Sequence, residues 1–427
     1  MTGSPPSANV SRAGGRIYPW VVVGLLWFVA LLNYMDRQML STMRDSMQVN
    51  IAELTDAVNF GRLMSVFLWI YGLISPAAGA VADRVSRKWL IVGSLFVWSA
   101  VTFGMGYAET FGQLYALRAV MGVSEALYIP AGLSLIADWH RDRSRSLAVG
   151  IHMTGLYAGQ AIGGFGATVA AAFSWQTTFQ GFGLVGMVYA VILILFLREN
   201  RQAVEERRRN RRTAATVSPV KNLLKSFGLL FSNVAFWAIL FYFAAPSLPG
   251  WATKNWLPTL FSESLGLSMD LAGPAATITI AVSSFIGVIV GGILSDRWVR
   301  RNLRGRIYTG AIGLGMTIPS LLLLGFSHSL PGIIGSGVLF GVGYGMFDAN
   351  NMPILCQFVA DRYRATAYGI MNMIGVFAGA AVTQILGQWA QGNNLGAGFA
   401  WLSVIVAAAI AIQLLFLRPK TDNMTQN

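Results

Sequence analysis

Asp36 and Arg37 stand side by side in the segment Leu31-Leu32-Asn33-Tyr34-Met35-Asp36-Arg37-Gln38, at the middle or far end of the first apolar run. Apolar residues lead into it from Tyr18 and continue mostly to Leu40. Carrying either charge into hydrocarbon costs roughly 2.5–3.5 kcal/mol on insertion scales. Charges kept at that depth serve a polar pathway. Arg118 and Glu125 lie seven residues apart in another apolar run, two turns on one helix face. Lys254 and Asp348 are further charges within apolar segments. Guanidinium and ammonium groups bind carboxylates, and a buried carboxyl can carry a proton.

Adjacent helical residues point about 100° apart, so Asp36 and Arg37 cannot face one partner. The spacing predicts that Asp36 pairs with Arg118 and leaves Arg37 free toward a cavity. Glu125 then sits near that cavity without a basic partner one turn away, where burial favours the neutral carboxyl that a proton carrier needs. Pro130 follows Glu125 and is expected to loosen the helix.

Composition sets the class of protein that must position these groups. The chain has 427 residues, 55% hydrophobic and 11% charged, with mean hydropathy +0.56. A soluble chain carries about 25% charged residues. With 47 Gly and 13 Trp it fits a bundle of membrane helices in a lipid bilayer. The net charge of +13 does not point to nucleic acid, because the basic residues lie in short segments between apolar runs. The single Cys356 excludes an intramolecular disulfide and a multi-cysteine metal site. His140, His152 and His328 are scattered, so no metal and no cofactor is expected. The N-terminus is polar through Gly15 and lacks a cleavage pattern, so the first run is expected to remain as a helix.

A bilayer core needs about 20 apolar residues per helix. Candidate spans are 18–40, 60–82, 89–107, 112–136, 146–171 and 177–197, then 229–260, 272–295, 306–326, 331–358, 365–387 and 396–417. The expectation is an all-α membrane protein of twelve transmembrane helices in two six-helix bundles. The run 229–260 is long and holds Pro246, Pro249 and Pro258, so a kinked or broken helix is expected there. On this map all Lys and Arg residues except Arg37, Arg44, Arg62, Arg118 and Lys254 fall on one side. The positive-inside rule makes that side, with both termini, cytoplasmic. The domains expected are a tail 1–17, a bundle 18–198, a basic linker 199–227, a second bundle 228–418 and a tail 419–427. The linker, with Arg207, Arg208, Arg209, Arg211 and Arg212, reads as a solvated connector or as an anionic-lipid site.

The two halves echo each other. Gly79-Ala80-Val81-Ala82-Asp83-Arg84 ends the second span and Gly292-Ile293-Leu294-Ser295-Asp296-Arg297 ends the eighth. Gly122, Glu125, Pro130 and Asp138 recur as Gly345, Asp348, Pro353 and Asp361 at one offset of 223. Repeats of one topology imply two bundles related by an axis along the membrane normal, with a site between them.

The segment Gly79 to Lys88 resembles the Gly-x-x-x-Asp-Arg-x-Gly-Arg-Lys loop of the major facilitator superfamily. It departs at Ser86 and keeps Gly79, Asp83, Arg84, Arg87 and Lys88. Arg118-Ala-Val-Met-Gly122 is similar to that superfamily's fourth-helix motif. The resemblance implies its fold and alternating access, with Gly79, Asp83, Arg84, Arg87, Asp296 and Arg297 in a latch between bundles. The loop's basic residues also serve as topological anchors.

Asn33-Tyr34-x-Asp36-Arg37 together with Arg118 and Glu125 resembles the anion:cation symporter branch, which includes sugar-acid and hexuronate transporters, sialin and vesicular glutamate transporters. Trp256-Leu257-Pro258 is also common in that branch. The resemblance implies that Arg37 takes the substrate carboxylate and that Asp36 and Glu125 take part in proton coupling.

 The chain is expected to act as a monomer and not as an enzyme, on a small anionic substrate and protons. Its expected place is a bacterial inner membrane. Asn372, in Gly369-Ile-Met-Asn372-Met-Ile-Gly375, is similar to the branch's polar substrate contact.

Several residues keep two readings. Arg118 couples to the proton or only holds helices together. Lys254 is a second substrate cation from the opposite bundle or snorkels at the outer mouth. Tyr71 and Trp69 line the cavity or pack. Tyr157 and Gln160 are polar enough to line it, while Gly155, Gly159, Gly163 and Gly164 allow close helix packing. Asp348 is a second proton or cation site or a hydrogen-bonded buried acid. Spinster-type lipid transporters share the Asn-Tyr-x-Asp-Arg segment and the Arg and Glu seven apart, so a lipid substrate is the rival reading. A polytopic membrane enzyme is disfavoured by short loops and by the lack of a phosphate-cradling loop or metal cluster.

Overall fold

The computed structural model describes residues 14–82, 84–140, 144–205, 209, 230–232, 234–359 and 364–417. The first half contains α1 (Gly14–Leu40), α2 (Ala57–Ala82), α3 (Arg87–Met105), α4 (Phe111–Ala126), α5 (Tyr128–Trp139), α6 (Arg145–Gly163), α7 (Gly166–Ala172) and α8 (Trp175–Phe196). The second contains α9 (Val234–Leu265), α10 (Met269–Val299), α11 (Gly305–Phe326), α12 (Leu330–Asp348), α13 (Asn351–Phe358), α14 (Arg364–Gln391) and α15 (Leu395–Phe416). Among the described residues, helix occupies each of the twelve expected spans. Ten of these segments are individually long and apolar enough to cross a bilayer, and α6–α7 and α9 occupy the other two positions. Most of the expected linker lies outside the described residues.

Local chemistry sets several helix starts. The Ser86 hydroxyl accepts from Trp89 N before α3, and Thr110 forms a capping box with Gln113 before α4. Prolines set the interruptions. A proline lacks an N–H and its ring crowds the carbonyl four residues back. Pro130 therefore acts on Ala126, where α4 ends, and Pro353 acts on Ala349, just past the end of α12. Each proline lies in the first turn of the next helix, where its missing donor costs little. The interruption expected from Pro130 thus falls directly behind Glu125, and the repeat reproduces it behind Asp348.

The seventh span differs from expectation. Despite Pro246, Pro249 and Pro258, α9 runs unbroken from Val234 to Leu265. Pro258 leaves the Lys254 carbonyl without its helical donor, and Gln38 Nε2 of α1 donates to it at 2.8 Å. A side chain from the other half replaces the missing backbone hydrogen bond.

Within the first half, α1 packs along α6. A Cβ placed on Gly155 would stand 2.6 Å from Trp27 O, and one on Gly159 would collide with Leu31 O. The packing reading of these glycines is therefore borne out, since close approach is what van der Waals association of membrane helices requires. The halves meet through α2 against α14 and through α6 and α7 against α10. Among the described residues, the hydrogen bonds joining the halves are Gln38 to Lys254 O, Ala57 N to Gln391 Oε1, Thr168 Oγ1 to Asp270 O and Thr277 Oγ1 to Ala161 O. All lie toward the end of the bundle away from the chain termini.

Gly159→Ala is expected to loosen the α1–α6 contact at a cost of about 1–3 kcal/mol, the range for overpacking. Gly93, whose Cβ would meet open space, supplies the control: Gly93→Ala should leave stability unchanged or slightly raised. Thermal unfolding of the two variants in one detergent measures the difference.

Candidate transport site

Four charged residues meet in the first half. Arg37 Nε donates to Glu125 Oε2 at 2.6 Å. Glu125 is fully buried (0% exposed), Arg118 is 3% exposed and Asp36 is 5% exposed. The pairing expected from spacing is corrected here. Asp36 is not in ion-pair contact with Arg118; it accepts a hydrogen bond from Thr102 Oγ1 of α3 at 3.3 Å. Arg118 donates through Nη1 to Met121 Sδ at 3.0 Å. Arg37 is not free toward the cavity, and Glu125 has a basic partner. The cause is the phase of α1: the turn that aims Asp36 at α3 aims Arg37 at the end of α4, where the chain breaks behind Glu125.

Aromatic rings surround the guanidinium groups. Arg37 Cζ lies 4.8 Å from the Phe67 ring centre, 4.8 Å from that of Tyr71 and 5.1 Å from that of Tyr34. Arg118 Cζ lies 4.7 Å from the same Phe67 ring. Ring faces attract cations and also exclude water from the pair. Among the described residues Arg37 Nη2 is buried without a hydrogen-bond partner, so the contact with Glu125 is one-pronged.

A central cavity of about 370 Å³ adjoins this cluster and is lined by both halves. Tyr34, Tyr157 and Gln160 line it from the first half, and Lys254, Asp348 and Asn372 from the second. Arg37 and Tyr71 are not among its lining residues. Tyr71 instead packs on Phe67, and Trp69 on Phe377. Lys254 Nζ lies 4.7 Å from the Trp251 ring centre and 5.7 Å from that of Tyr34, within the cavity wall rather than at the end of α9. Asp348 Oδ1 accepts from Asn351 Nδ2 at 3.0 Å, and the side chain faces the cavity.

Trp251, Tyr344 and Asn351 also line the cavity and were not singled out from sequence. Trp251 precedes Lys254 by three residues and Tyr344 precedes Asp348 by four, so each shares a helix face with a charge already identified. Searching at helical spacing around each membrane-embedded charge finds them.

The residues expected to latch the halves are placed as follows. Asp83 lies outside the described residues, and no Cβ contact would form at Gly79. Arg84 and Arg297 are exposed. Arg87 Nη1 pairs with Asp138 Oδ2 at 2.6 Å and donates to Ser134 O at 2.8 Å, and the Arg87 N–H donates to Glu199 Oε1 at 2.8 Å. Asp296 pairs with Arg306 at 3.4 Å. The Arg87–Asp138 and Asp296–Arg306 pairs each stay within one half, so neither bridges the halves in this conformation.

Comparison with known proteins agrees with this architecture. A probable galactarate/D-glucarate transporter of Bacillus subtilis (strain 168) is 26% identical, over 96% of this chain and 94% of that one. A hexuronate transporter of the same organism is 26% identical, over 72% of each chain. The crystal structure of a bacterial homologue of the human lysosomal transporter Spinster, inward-facing and occupied, superposes with a TM-score of 0.76 at 19% identity, covering 95% of this chain and 98% of that one. The family model described as Major Facilitator Superfamily matches residues 26–383. That match covers most of the chain, and this chain belongs to the major facilitator superfamily.

Proposed function

We propose that this multi-pass membrane transporter carries a small organic anion, of the sugar-acid or hexuronate class, by proton symport with alternating access. The observation that carries the reading is the buried Arg37–Glu125 contact beside a cavity that also presents Lys254. Protonating Glu125 removes the charge that holds Arg37. The freed guanidinium, already over the Tyr34 ring at the cavity wall, then reaches the substrate carboxylate. Substrate and proton load together, which lowers the net charge that crosses during reorientation. Asp36 and Arg118 keep the rest of the buried cluster electrically balanced.

Tyr157, Gln160, Lys254 and Asn372 supply the remaining contacts to the anion. The residues placed in the latch stabilise the alternative conformation when the halves rock about the cavity. Both termini lie in the cytoplasm by the positive-inside rule, in a bacterial inner membrane, and the transporter works as a monomer. A Spinster-like lipid substrate is less well supported, because Gln160, Lys254, Asp348, Asn351 and Asn372 bring polar groups to several sides of the cavity.

Glu125→Gln imitates the protonated acid. It should bind the anion and exchange labelled for unlabelled substrate in proteoliposomes, yet lose accumulation driven by an inward proton gradient. Gradient-driven uptake at the wild-type level would remove Glu125 from coupling. Arg37→Lys should weaken anion binding by about tenfold or more while the protein still folds, because an ammonium lacks the guanidinium fork. Titration of the purified variant measures this, and unchanged affinity would exclude Arg37 as a ligand. Lys254→Ala separates a ligand from a rim charge: loss of affinity assigns it to the substrate, and intact affinity leaves it a rim charge.

A further inference from the structure

The internal repeat places Glu125 and Asp348 at equivalent positions, 223 residues apart. Each acid lies at the end of a helix interrupted by the proline five residues on. Each half also contributes one cation from its first helix, Arg37 from α1 and Lys254 from α9. Glu125 is fully buried, whereas Asp348 is exposed to the cavity, and the two arrangements differ in closure. The first is closed, with Arg37 on Glu125 at 2.6 Å. The second is open: Lys254 and Asp348 both line the cavity, and among the described residues Lys254 has no carboxylate at ion-pair distance. Lys254 rests against Trp251 and Tyr34, while Asp348 accepts a hydrogen bond from Asn351.

We propose that Lys254 and Asp348 form a divided ion pair that the substrate bridges, its carboxylate between Lys254 and the freed Arg37, which share the Tyr34 ring, and its hydroxyl donors at Asp348. Asp348 thereby selects polyhydroxylated monocarboxylates and rejects dicarboxylates of the same length. This rests on the organic-anion reading above and narrows its substrate class. A hydroxyl donating to a carboxylate makes a charge-assisted hydrogen bond. An unsubstituted alkyl tail leaves Asp348 without that donor, which a site built for hydrogen bonding discriminates against strongly. A second carboxylate on the substrate meets the like charge of Asp348 across the cavity, and the two repel.

The test uses the purified full-length protein in nanodiscs, titrated calorimetrically with D-gluconate, D-glucarate and hexanoate, and with the galactonate and galactarate pair. These share a six-carbon chain and differ in the far end or in the hydroxyls. The wild type should bind a monocarboxylate sugar acid at least about tenfold more tightly than the matching dicarboxylate, a difference of about 1.4 kcal/mol. Hexanoate should bind more weakly than either sugar monocarboxylate. Asp348→Asn should narrow the monocarboxylate preference to about threefold or less by strengthening dicarboxylate binding, and Asp348→Glu should keep it. An unchanged preference in Asp348→Asn overturns the proposal, as does wild-type binding of the dicarboxylate as tightly as its partner. Should Asp348→Asn fail to fold, the wild-type comparison decides alone. Binding of neither sugar-acid series overturns the sugar-acid reading itself, and this inference with it.

Discussion

The Arg37–Glu125 ion pair is the constraint around which the rest of this structure is arranged. A buried charge without a partner is costly, and a buried pair is tolerated only where geometry brings the two groups together. That geometry needs α1 close enough to α4 for a direct contact. It also needs Glu125 at the final turn of α4, where Pro130 ends the helix behind it. The rings of Phe67, Tyr71 and Tyr34 then close around the guanidinium and keep the pair in a low-dielectric setting.

Proline has opposite consequences at different sites. In the fourth and tenth spans it stops one helix and starts another, which sets Glu125 and Asp348 at helix ends. In the seventh the helix stays whole, and at Pro258 Gln38 takes up the carbonyl left unpaired. That bond joins the two halves beside Lys254. The seventh helix therefore carries a cavity cation and a hydrogen bond between the halves within one turn.

Much of the fold was legible in the chain. Twelve apolar runs follow from the cost of exposing polar backbone in lipid, and their lengths from the thickness of the bilayer core. The offset of 223 residues anticipated that the fourth and tenth spans break alike. Close packing at Gly155 and Gly159 was expected from their spacing, because small residues four apart form one helix stripe. Tyr157, Gln160, Lys254, Asp348 and Asn372 were identified as site candidates and line one cavity.

The partners of the charges were not legible. Helix periodicity states that Asp36 and Arg37 diverge, but not which neighbour stands on either side, since that depends on the rotation and tilt of α1 against α3 and α4. Spacing alone paired Asp36 with Arg118; the packed helices give Asp36 to Thr102 and Arg37 to Glu125. The same limit applied to Trp251 and Tyr344, whose place at the cavity depends on helix rotation. The amino-acid sequence determined that this is a bundle of membrane helices with charges inside the apolar runs of both halves, because hydropathy and residue spacing are properties of the chain. Only the tertiary structure decided which charges touch and where the halves hydrogen-bond to each other, because those depend on contacts between helices distant in sequence.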